Sequence, residues 1–270
     1  MTVFYLKALG AIFLSLTVFM TLAWAVERRT GNSGWANTIW TYAVGLTGAW
    51  SAMFPADGVT FTHRQWLVAI LVALWSLRLG GHIAERSAET VKDPWYAALA
   101  AQWGKDTPRL MFKRLQQQGV VSVPLVYAVF IAAHNPAPGL RAQDYIGALI
   151  LLVAIIGETV ADGQLKAFLR DPANKDKVCD RGLWKYSRHP NYFFEWVGWF
   201  AYPVIAISSG YWWGWLTLLA PLIMYVVLIH VSGVPPHEKR MLQSIGDAFS
   251  AYQARTSRFF PLPPSAKGTP

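Results

Sequence analysis

A dense set of ionic and hydrogen-bonding side chains lies between residues 157 and 199, and apolar segments flank it on both sides. It begins with Glu158, Asp162 and Lys166, which are spaced at i, i+4 and i+8. On one helix this spacing places the three side chains along a single stripe. Carboxylates inside a membrane are costly and mark functional sites by default, the alternative being a buried structural ion pair. The stripe therefore predicts a functional site at the edge of a membrane.

A basic loop follows this stripe. Such a density of cations suits phosphate groups, which arginine in particular holds through two parallel hydrogen bonds. The alternative is attraction to anionic lipid headgroups, which is worth about 1 kcal/mol per basic residue near the surface. We expect Arg181 and Arg188, which lie next to an aromatic motif, to be the phosphate ligands. The cations of the loop are Lys166, Arg170, Lys175, Lys177, Arg181, Lys185 and Arg188.

The segment 188–192 leads into the next apolar stretch. Pro190 suits the first turn of a helix, so that Asn191, Glu195 and Trp199 follow at i, i+4 and i+8 on one helical face. An amide, a carboxylate and an indole on one face could hold a polar cofactor ring. A buried glutamate without a partner would be costly, so we expect this one to be paired or ligated. Helix capping is the alternative role for the histidine and the asparagine of the segment.

The composition indicates an integral membrane protein. Of the 270 residues, 54% are hydrophobic and only 14% are charged, whereas about a quarter are charged in a soluble domain. The net charge of +9 could indicate nucleic acid, but the basic residues lie between apolar segments rather than in one stripe. A cytoplasmic membrane surface explains them better, so we predict a lipid bilayer and no nucleic acid as partner. The single Cys179 excludes an internal disulfide and gives no metal-binding pattern.

Seven apolar segments predict transmembrane helices, since a span needs about 20 mostly apolar residues. The fourth is short and contains Pro124. Residues 92–118 mix polar and apolar side chains, which favours helices lying along the interface, or else a connecting loop. We predict one all-α membrane domain over residues 1–270, with about seven transmembrane helices and cytoplasmic interfacial helices. The segments are 3–26, 35–54, 65–84, 119–134, 143–163, 192–209 and 212–233.

The distribution of basic residues predicts the orientation. All but four of the 24 Lys and Arg residues fall on one side of this topology, the exceptions being Lys7, Arg64, Arg78 and Arg141. Because cytoplasmic loops carry an excess of Lys and Arg, we place the N-terminus outside and the C-terminus in the cytoplasm. The first segment is too long for the core of a signal peptide, so we expect it to be retained.

The segment 182–195, Gly-Leu-Trp-Lys-Tyr-Ser-Arg-His-Pro-Asn-Tyr-Phe-Phe-Glu, resembles the signature of the steroid 5α-reductase C-terminal type of membrane protein, specifically its bacterial DUF1295 branch. The resemblance implies a helical bundle of a bacterial inner membrane that binds NADPH. It also implies reduction of a carbon–carbon double bond conjugated to a carbonyl in a hydrophobic lipid substrate, steroid-like or isoprenoid. Similar segments are 162–166, 232–239 and 252–261, with weaker ones at 78–86 and 93–96.

The resemblance further implies that residues 1–140 shape the lipid-substrate cavity and that residues 141–265 bind the cofactor. By position, the adenosine and phosphate end of NADPH would meet Asp162, Lys166, Arg170 and Arg181. The rest of the cofactor would meet Tyr186, Arg188, His189, Asn191, Tyr192 and Glu195, with His237 and Glu238 on the C-terminal side. Glu158 and Trp184 complete the predicted cofactor-binding set.

The residues that could activate the substrate carbonyl differ from those of the animal steroid reductases. Those enzymes carry a Gln-Glu pair in the second span and a tyrosine in the third. Here the second segment has Trp40 and Tyr42 but no carboxylate. A hydride that moves to the β-carbon requires a donor to stabilise the developing enolate oxygen. The candidates are Tyr42, His82 and Tyr96, each of which could instead be a packed aromatic or a satisfied histidine.

Two other functions fit the same residues. Membrane methyltransferases that use S-adenosylmethionine share the Arg-His-Pro-x-Tyr motif, but they usually carry a Glu-Glu pair after the last span. Here the matching segment, 236–239, has one carboxylate followed by a cation, which suits a more anionic cofactor. The third possibility is a lipid-binding protein that has kept the fold without catalysis, and the absence of a second-span carboxylate favours it.

Overall fold

The computed structural model describes residues 2–55, 61–89 and 94–265, and over these residues the chain forms helices and turns without a β-strand. Within this part, five helical segments are long and apolar enough to cross a membrane. They confirm the all-α class and indicate a multi-pass membrane protein. The segments are Thr2–Thr30, His63–Glu89, Leu99–Ala133, Ala142–Arg170 and Trp212–Arg255.

The chain forms two compact units, of which the first comprises residues 1–148 and 202–220. The first unit therefore includes residues 1–140, the predicted N-terminal part, together with residues 141–148 and 202–220. In this unit α1, α2, α3 and α5 pack against one another, and α4 packs on α5. The helices are α1 (Thr2–Thr30), α2 (Gly34–Ala52), α3 (His63–Glu89), α4 (Pro94–Trp103), α5 (Thr107–Ala133), α6 (Ala142–Arg170), which continues into the second unit, and α8 (Ala201–Ala206).

Small residues on α2 allow its backbone to approach α3. A Cβ added to Gly45 would lie 2.1 Å from the Cβ of Ser76, and the Ser76 hydroxyl donates to the carbonyl of Thr41 at 3.1 Å. Close packing through small residues is typical of membrane helices. Small residues, one asparagine and several aromatic residues lower the hydropathy of α2. This helix is therefore not among the five apolar segments, although its position matches the predicted second span.

The polar residues before the predicted fourth segment belong to the same helix as that segment. α5 is continuous over 27 residues and contains Pro124 in its interior. Proline is tolerated inside transmembrane helices because neighbouring groups compensate for the lost backbone hydrogen bond. Within 92–118, where separate interfacial helices were expected, the described chain has one short α-helix, α4, before α5 begins, and residues 90–93 lie outside the described part of the chain.

A buried ion pair joins the start of α3 to the start of α6. The guanidinium of Arg64 donates from Nε and Nη2 to the two carboxylate oxygens of Asp144, at 2.8 and 3.0 Å. Its Nη1 donates to the carbonyls of Asn135 and Ala137, and both charged side chains are almost fully buried, at 2% and 0% exposure. Arg141 lies beside the same carboxylate. Two of the basic residues that depart from the predicted charge distribution therefore have internal structural roles.

The second unit comprises residues 149–201 and 221–270. Its helices include most of α6, α7 (Pro190–Gly198), α9 (Leu219–Val226) and α10 (Val234–Arg255). A π-helical turn, Val227–Val231, connects α9 to α10. It closes tightly on Gly233, where a Cβ would lie 2.4 Å from the carbonyl oxygen of Leu228, so a side chain does not fit there.

The predicted sixth segment, 192–209, is not one continuous helix. It is divided into α7, with 9 residues, and α8, with 6. Pro203 explains the break, since it has no N–H to donate to the carbonyl of Trp199 four residues earlier. At 1.5 Å per residue the two pieces measure about 14 and 9 Å, so neither alone crosses a hydrocarbon core of about 30 Å.

Candidate functional site

Glu238, in the first turns of α10, is the centre of a polar cluster in the second unit. Its Oε1 accepts hydrogen bonds from Arg188 Nε at 2.7 Å and from His189 Nε2 at 3.1 Å. Its Oε2 accepts from Gln253 Nε2 at 2.9 Å. The carboxylate and the guanidinium are both about nine-tenths buried, at 12% and 10% exposure. We call these four residues the Glu238 cluster; three of them belong to the predicted cofactor-binding set.

The Glu238 cluster depends on a chain reversal within α10. Glu238 and Gln253 are 15 residues apart, which on a straight helix would separate them by about 22 Å, yet their side chains are hydrogen-bonded. Gly246 interrupts the helix with φ 36° and ψ −109°. Because this backbone conformation lies at positive φ, it favours glycine. Gly246 thus allows the two halves of α10 to fold together.

Arg188 holds the end of α10 against the start of α7. Its Nη1 donates to the carbonyls of Thr256 and Gln253, at 2.6 and 3.2 Å, and its backbone N–H donates to the carbonyl of Ser257 at 2.9 Å. These contacts, with the ion pair to Glu238, give the guanidinium a structural role that the sequence analysis did not anticipate. Its predicted contact with a phosphate remains a prediction.

His189 is 2% exposed and packs between aromatic rings. Its imidazole stacks on Tyr192 with 5.4 Å between ring centroids and meets the edge of His237 at 5.5 Å. Burial lowers the pKa of His189, and the hydrogen bond to Glu238 partly offsets this effect. A neutral imidazole with its proton on Nε2 therefore donates to the carboxylate. Ser187 supports this turn, because its hydroxyl accepts from the backbone N–H of His189 and donates to the carbonyl of Phe259.

A second polar contact joins α6 to α7. The side-chain amide of Asn191 donates to Asp162 Oδ1 at 3.1 Å, while its own oxygen accepts from the backbone N–H of Tyr192. The two helices approach closely here, since a Cβ on Gly157 would lie 2.4 Å from the ring of Phe194. The structure therefore brings the amide of the aromatic motif to the acidic stripe of α6.

The other two predicted carboxylates are also buried. Glu195 accepts a hydrogen bond from the indole of Trp199 at 2.9 Å, as the i, i+4 spacing allows, and both side chains are buried. The structure thus pairs this glutamate, as expected. Glu158 is 5% exposed, one turn before Asp162 on α6.

Trp184 is a packing residue in this structure. It is 5% exposed, forms a small apolar cluster with Phe168 and Cys179, and donates from its indole to the carbonyl of Ala161 at 2.9 Å. Burial raises the pKa of the Cys179 thiol, so the thiol remains protonated. Unlike the buried Trp184, Tyr186 of the same predicted cofactor-binding set is 42% exposed.

The predicted phosphate ligands at the end of α6 and in the loop that follows it are accessible. Arg170 and Arg181 are exposed and Lys166 is half-buried. The guanidinium of Arg181 lies 5.7 Å from the centre of the Phe168 ring, close enough for a cation–π contact. The loop therefore presents exposed guanidinium groups, whereas the Asp162–Asn191 contact is part-buried.

The three candidate catalytic residues all belong to the first unit. Tyr42 packs its ring on Gly80 of α3, where a Cβ would lie 2.7 Å from the ring. His82 lies two residues further along α3 and is half-buried. Tyr96 is buried, and its hydroxyl donates to Gln118 at 2.9 Å. In the described residues no hydrogen-bond partner contacts the hydroxyl of Tyr42, which distinguishes it from Tyr96.

Several residues that build the candidate site were not predicted as such. Gln253 lies in segment 252–261, which is similar to the family signature, so its position could have suggested it. Ser187 and Gly246 are residue types that occur in any turn, and only their tertiary contacts reveal their roles. The same holds for Tyr252, whose hydroxyl donates to the carbonyls of Trp184 and Ser187.

A comparison with protein-family models matches residues 23–256 to the family described as "Protein of unknown function (DUF1295)". No curated protein and no solved structure matches the chain significantly. The family match includes the acidic stripe of α6, the aromatic motif and the Glu238 cluster. Because it extends over most of the 270 residues, the chain belongs to the DUF1295 family.

Proposed function

We propose that the protein is a membrane-embedded, NADPH-dependent reductase of a carbon–carbon double bond conjugated to a carbonyl in a steroid-like or isoprenoid lipid. The observation that carries the proposal is the contact between Asn191 and Asp162, at 3.1 Å, next in the chain to a loop of exposed cations. The likeness of segment 182–195 to the steroid 5α-reductase signature supports the same assignment.

The two parts of this site match the two ends of NADPH. Exposed guanidinium groups such as those of Arg170 and Arg181 bind phosphates through paired hydrogen bonds. A nicotinamide carboxamide needs an acceptor and a donor, and the carboxylate of Glu195 and the amide of Asn191 carry these groups, while Asp162 belongs with the adenosine and phosphate end. In this proposal the Glu238 cluster positions the aromatic motif, and the cofactor when bound supplies the hydride.

Reduction of an enone also requires a donor to the carbonyl oxygen, which becomes an enolate as the hydride reaches the β-carbon. Among the candidates, Tyr42 is the one whose hydroxyl has no hydrogen-bond partner in the described part of the chain. The hydroxyl of Tyr96 already donates to Gln118. Tyr42 is therefore our first candidate for the carbonyl donor, with His82 second.

The proposed topology has seven spans, with α2 and the paired pieces α7 and α8 added to the five apolar segments. The N-terminus lies outside a bacterial inner membrane and the C-terminus in the cytoplasm, with α4 as an interfacial helix. Burial of Arg64 and proximity of Arg141 to Asp144 support this orientation. These two arginines serve the fold, so that Lys7, near the start of α1, is the remaining cation on the predicted outer side.

A methyltransferase is the second candidate. The hydrogen bonds that the Glu238 carboxylate already makes within the protein argue against it. S-adenosylmethionine carries a cationic sulfonium and an ammonium group, which need carboxylates rather than exposed cations. Glu238 already accepts hydrogen bonds from three side chains. A lipid-binding protein without catalysis would keep the fold, but it would not require the cation loop.

Thermal unfolding of the detergent-purified protein with NADPH, NADH and S-adenosylmethionine, each added separately, tests the cofactor. At 100 times its dissociation constant, NADPH is expected to add about 2.7 kcal/mol to the free energy of unfolding. NADH should stabilise less, because it lacks the 2′-phosphate. Stabilisation by S-adenosylmethionine with no effect of NADPH would overturn the reductase proposal, and no stabilisation by any of the three would favour the non-catalytic alternative.

A further inference from the structure

A cleft of about 470 Å³ lies in the first unit at the N-terminal end of α5. It is separate from every residue discussed for the cofactor or the substrate carbonyl. Its lining combines two cations, one carboxylate, one amide and two apolar side chains. These are Arg109, Lys113, Asp106, Gln116, Leu110 and Phe112.

The two cations of the cleft lie on one helical face. Arg109 and Lys113 are four residues apart, so their Cβ atoms are about 5–6 Å from each other. Both side chains are exposed, and within residues 2–55, 61–89 and 94–265 no carboxylate forms an ion pair with either of them. Asp106 also lines the cleft, which leaves a net positive charge for an anionic ligand.

The length of α5 places this cleft at the level of lipid headgroups. The helix has 27 residues and measures about 40 Å, whereas the hydrocarbon core is about 30 Å thick. About seven residues therefore extend beyond the core. The buried apolar residues of α5 are concentrated between Leu125 and Ala133, so the polar end with Arg109 and Lys113 is the one that protrudes.

Contacts with α1 also indicate a membrane boundary here. The indole of Trp24 donates to the carbonyl of Pro108 at 2.9 Å and meets the edge of the Phe112 ring at 5.5 Å. Gln116 donates to the hydroxyl of Thr21 at 3.1 Å. Tryptophan is enriched at the membrane–water interface. The C-terminal end of α1 and the N-terminal end of α5 therefore lie on the same side of the membrane.

We propose that this cleft binds the headgroup of an anionic phospholipid. The phosphate lies between Arg109 and Lys113, and the headgroup hydroxyls of a lipid such as phosphatidylglycerol donate to Asp106. Leu110 and Phe112, the latter 38% exposed, contact the start of the acyl chains. The lipid here is a bound ligand of the first unit, and the inference does not depend on the proposed reductase activity.

The test uses native mass spectrometry of the full-length protein, delipidated in detergent and titrated with phosphatidylglycerol or phosphatidylcholine. The protein is expected to bind phosphatidylglycerol more tightly. The double variant Arg109→Gln/Lys113→Gln should weaken that binding about 30-fold, as expected for two cations near a charged surface. The matched control Lys239→Gln/Arg240→Gln removes two exposed cations of the second unit and should leave the affinity unchanged.

Four outcomes would overturn the proposal. The first is an unchanged affinity for phosphatidylglycerol in the Arg109→Gln/Lys113→Gln variant. The second is an equal loss in the control, which would show attraction by overall charge. The third is equal binding of phosphatidylcholine, and the fourth is displacement of the lipid by inorganic phosphate at equal concentration. A thermal unfolding midpoint that matches the parent protein verifies that each variant is folded, and Lys113→Gln alone serves if the double variant is not.

Discussion

Replacing Glu238 with alanine is expected to lower the free energy of unfolding by about 3–5 kcal/mol, because it leaves a buried guanidinium without its carboxylate. Arg188 is 10% exposed and its Nε has Glu238 as acceptor at 2.7 Å. His189 and Gln253 lose the same acceptor. The end of α10 and the turn before α7 would therefore lose their common attachment.

Chemical denaturation in detergent, followed by circular dichroism, measures this loss. Asp180→Asn is a matched control, since it breaks the ion pair with Arg255, in which both side chains are more than a third exposed. An exposed pair contributes at most about 1 kcal/mol. If the two substitutions had equal and small effects, the Glu238 cluster would not be the structural centre that its geometry indicates.

Replacing Asp144 with asparagine is expected to have a comparable effect in the first unit. The substitution preserves shape but removes the charge that neutralises Arg64, and both side chains are at most 2% exposed. The guanidinium also keeps the loop after α5 in place through the carbonyls of Asn135 and Ala137. An uncompensated buried charge costs about 3–5 kcal/mol, so we expect a loss in this range.

The same denaturation experiment tests this prediction with Asp106→Asn as control. Asp106 is exposed and makes no side-chain cap to α5, so the control should lose less than about 1 kcal/mol, the contribution of an acid near a helix N-terminus. A substitution Arg64→Lys is a further comparison, because lysine lacks the planar fork that contacts both carboxylate oxygens. A wild-type unfolding curve for Asp144→Asn would contradict the account of this ion pair.

Much of the fold could be predicted from hydropathy, because α1, α3 and α6 are long apolar stretches. α2 was placed correctly, but its hydropathy alone would not identify it as a span. Its glycines, such as Gly45, serve contact with α3 rather than lipid. The division of segment 192–209 was not predicted, although Pro203 was a local signal for it.

The reversal of α10 at Gly246 could not be predicted from the sequence. Glycine at this position is compatible with a helix, and its positive φ is stabilised by contacts that form only on folding, among them the hydrogen bond between Glu238 and Gln253. Tertiary hydrogen bonds of this kind have no periodic signature. The positions of the chain segments could thus be predicted from the sequence, but the tertiary contacts between them could not.

For a related reason, some residues of the candidate site were assigned from the sequence and the contacts of others were not. The acidic stripe and the aromatic motif were recognised from residue types and spacing, and the structure brings Asp162 and Asn191 together. Arg188 was expected at a phosphate because arginine suits that role. Its contacts with Glu238 and two backbone carbonyls became visible only in three dimensions.

The most direct test of the proposed reductase is hydride transfer from NADPH deuterated at C4 of the nicotinamide. The full-length protein is reconstituted in liposomes with a panel of enone lipids, and the lipids are analysed by mass spectrometry. We predict a saturated product with deuterium at the β-carbon and a proton from water at the α-carbon. A parallel incubation contains methyl-labelled S-adenosylmethionine in place of NADPH. A labelled methyl group in a lipid product of that incubation, with no deuterium transferred from NADPH to any enone, would contradict the account.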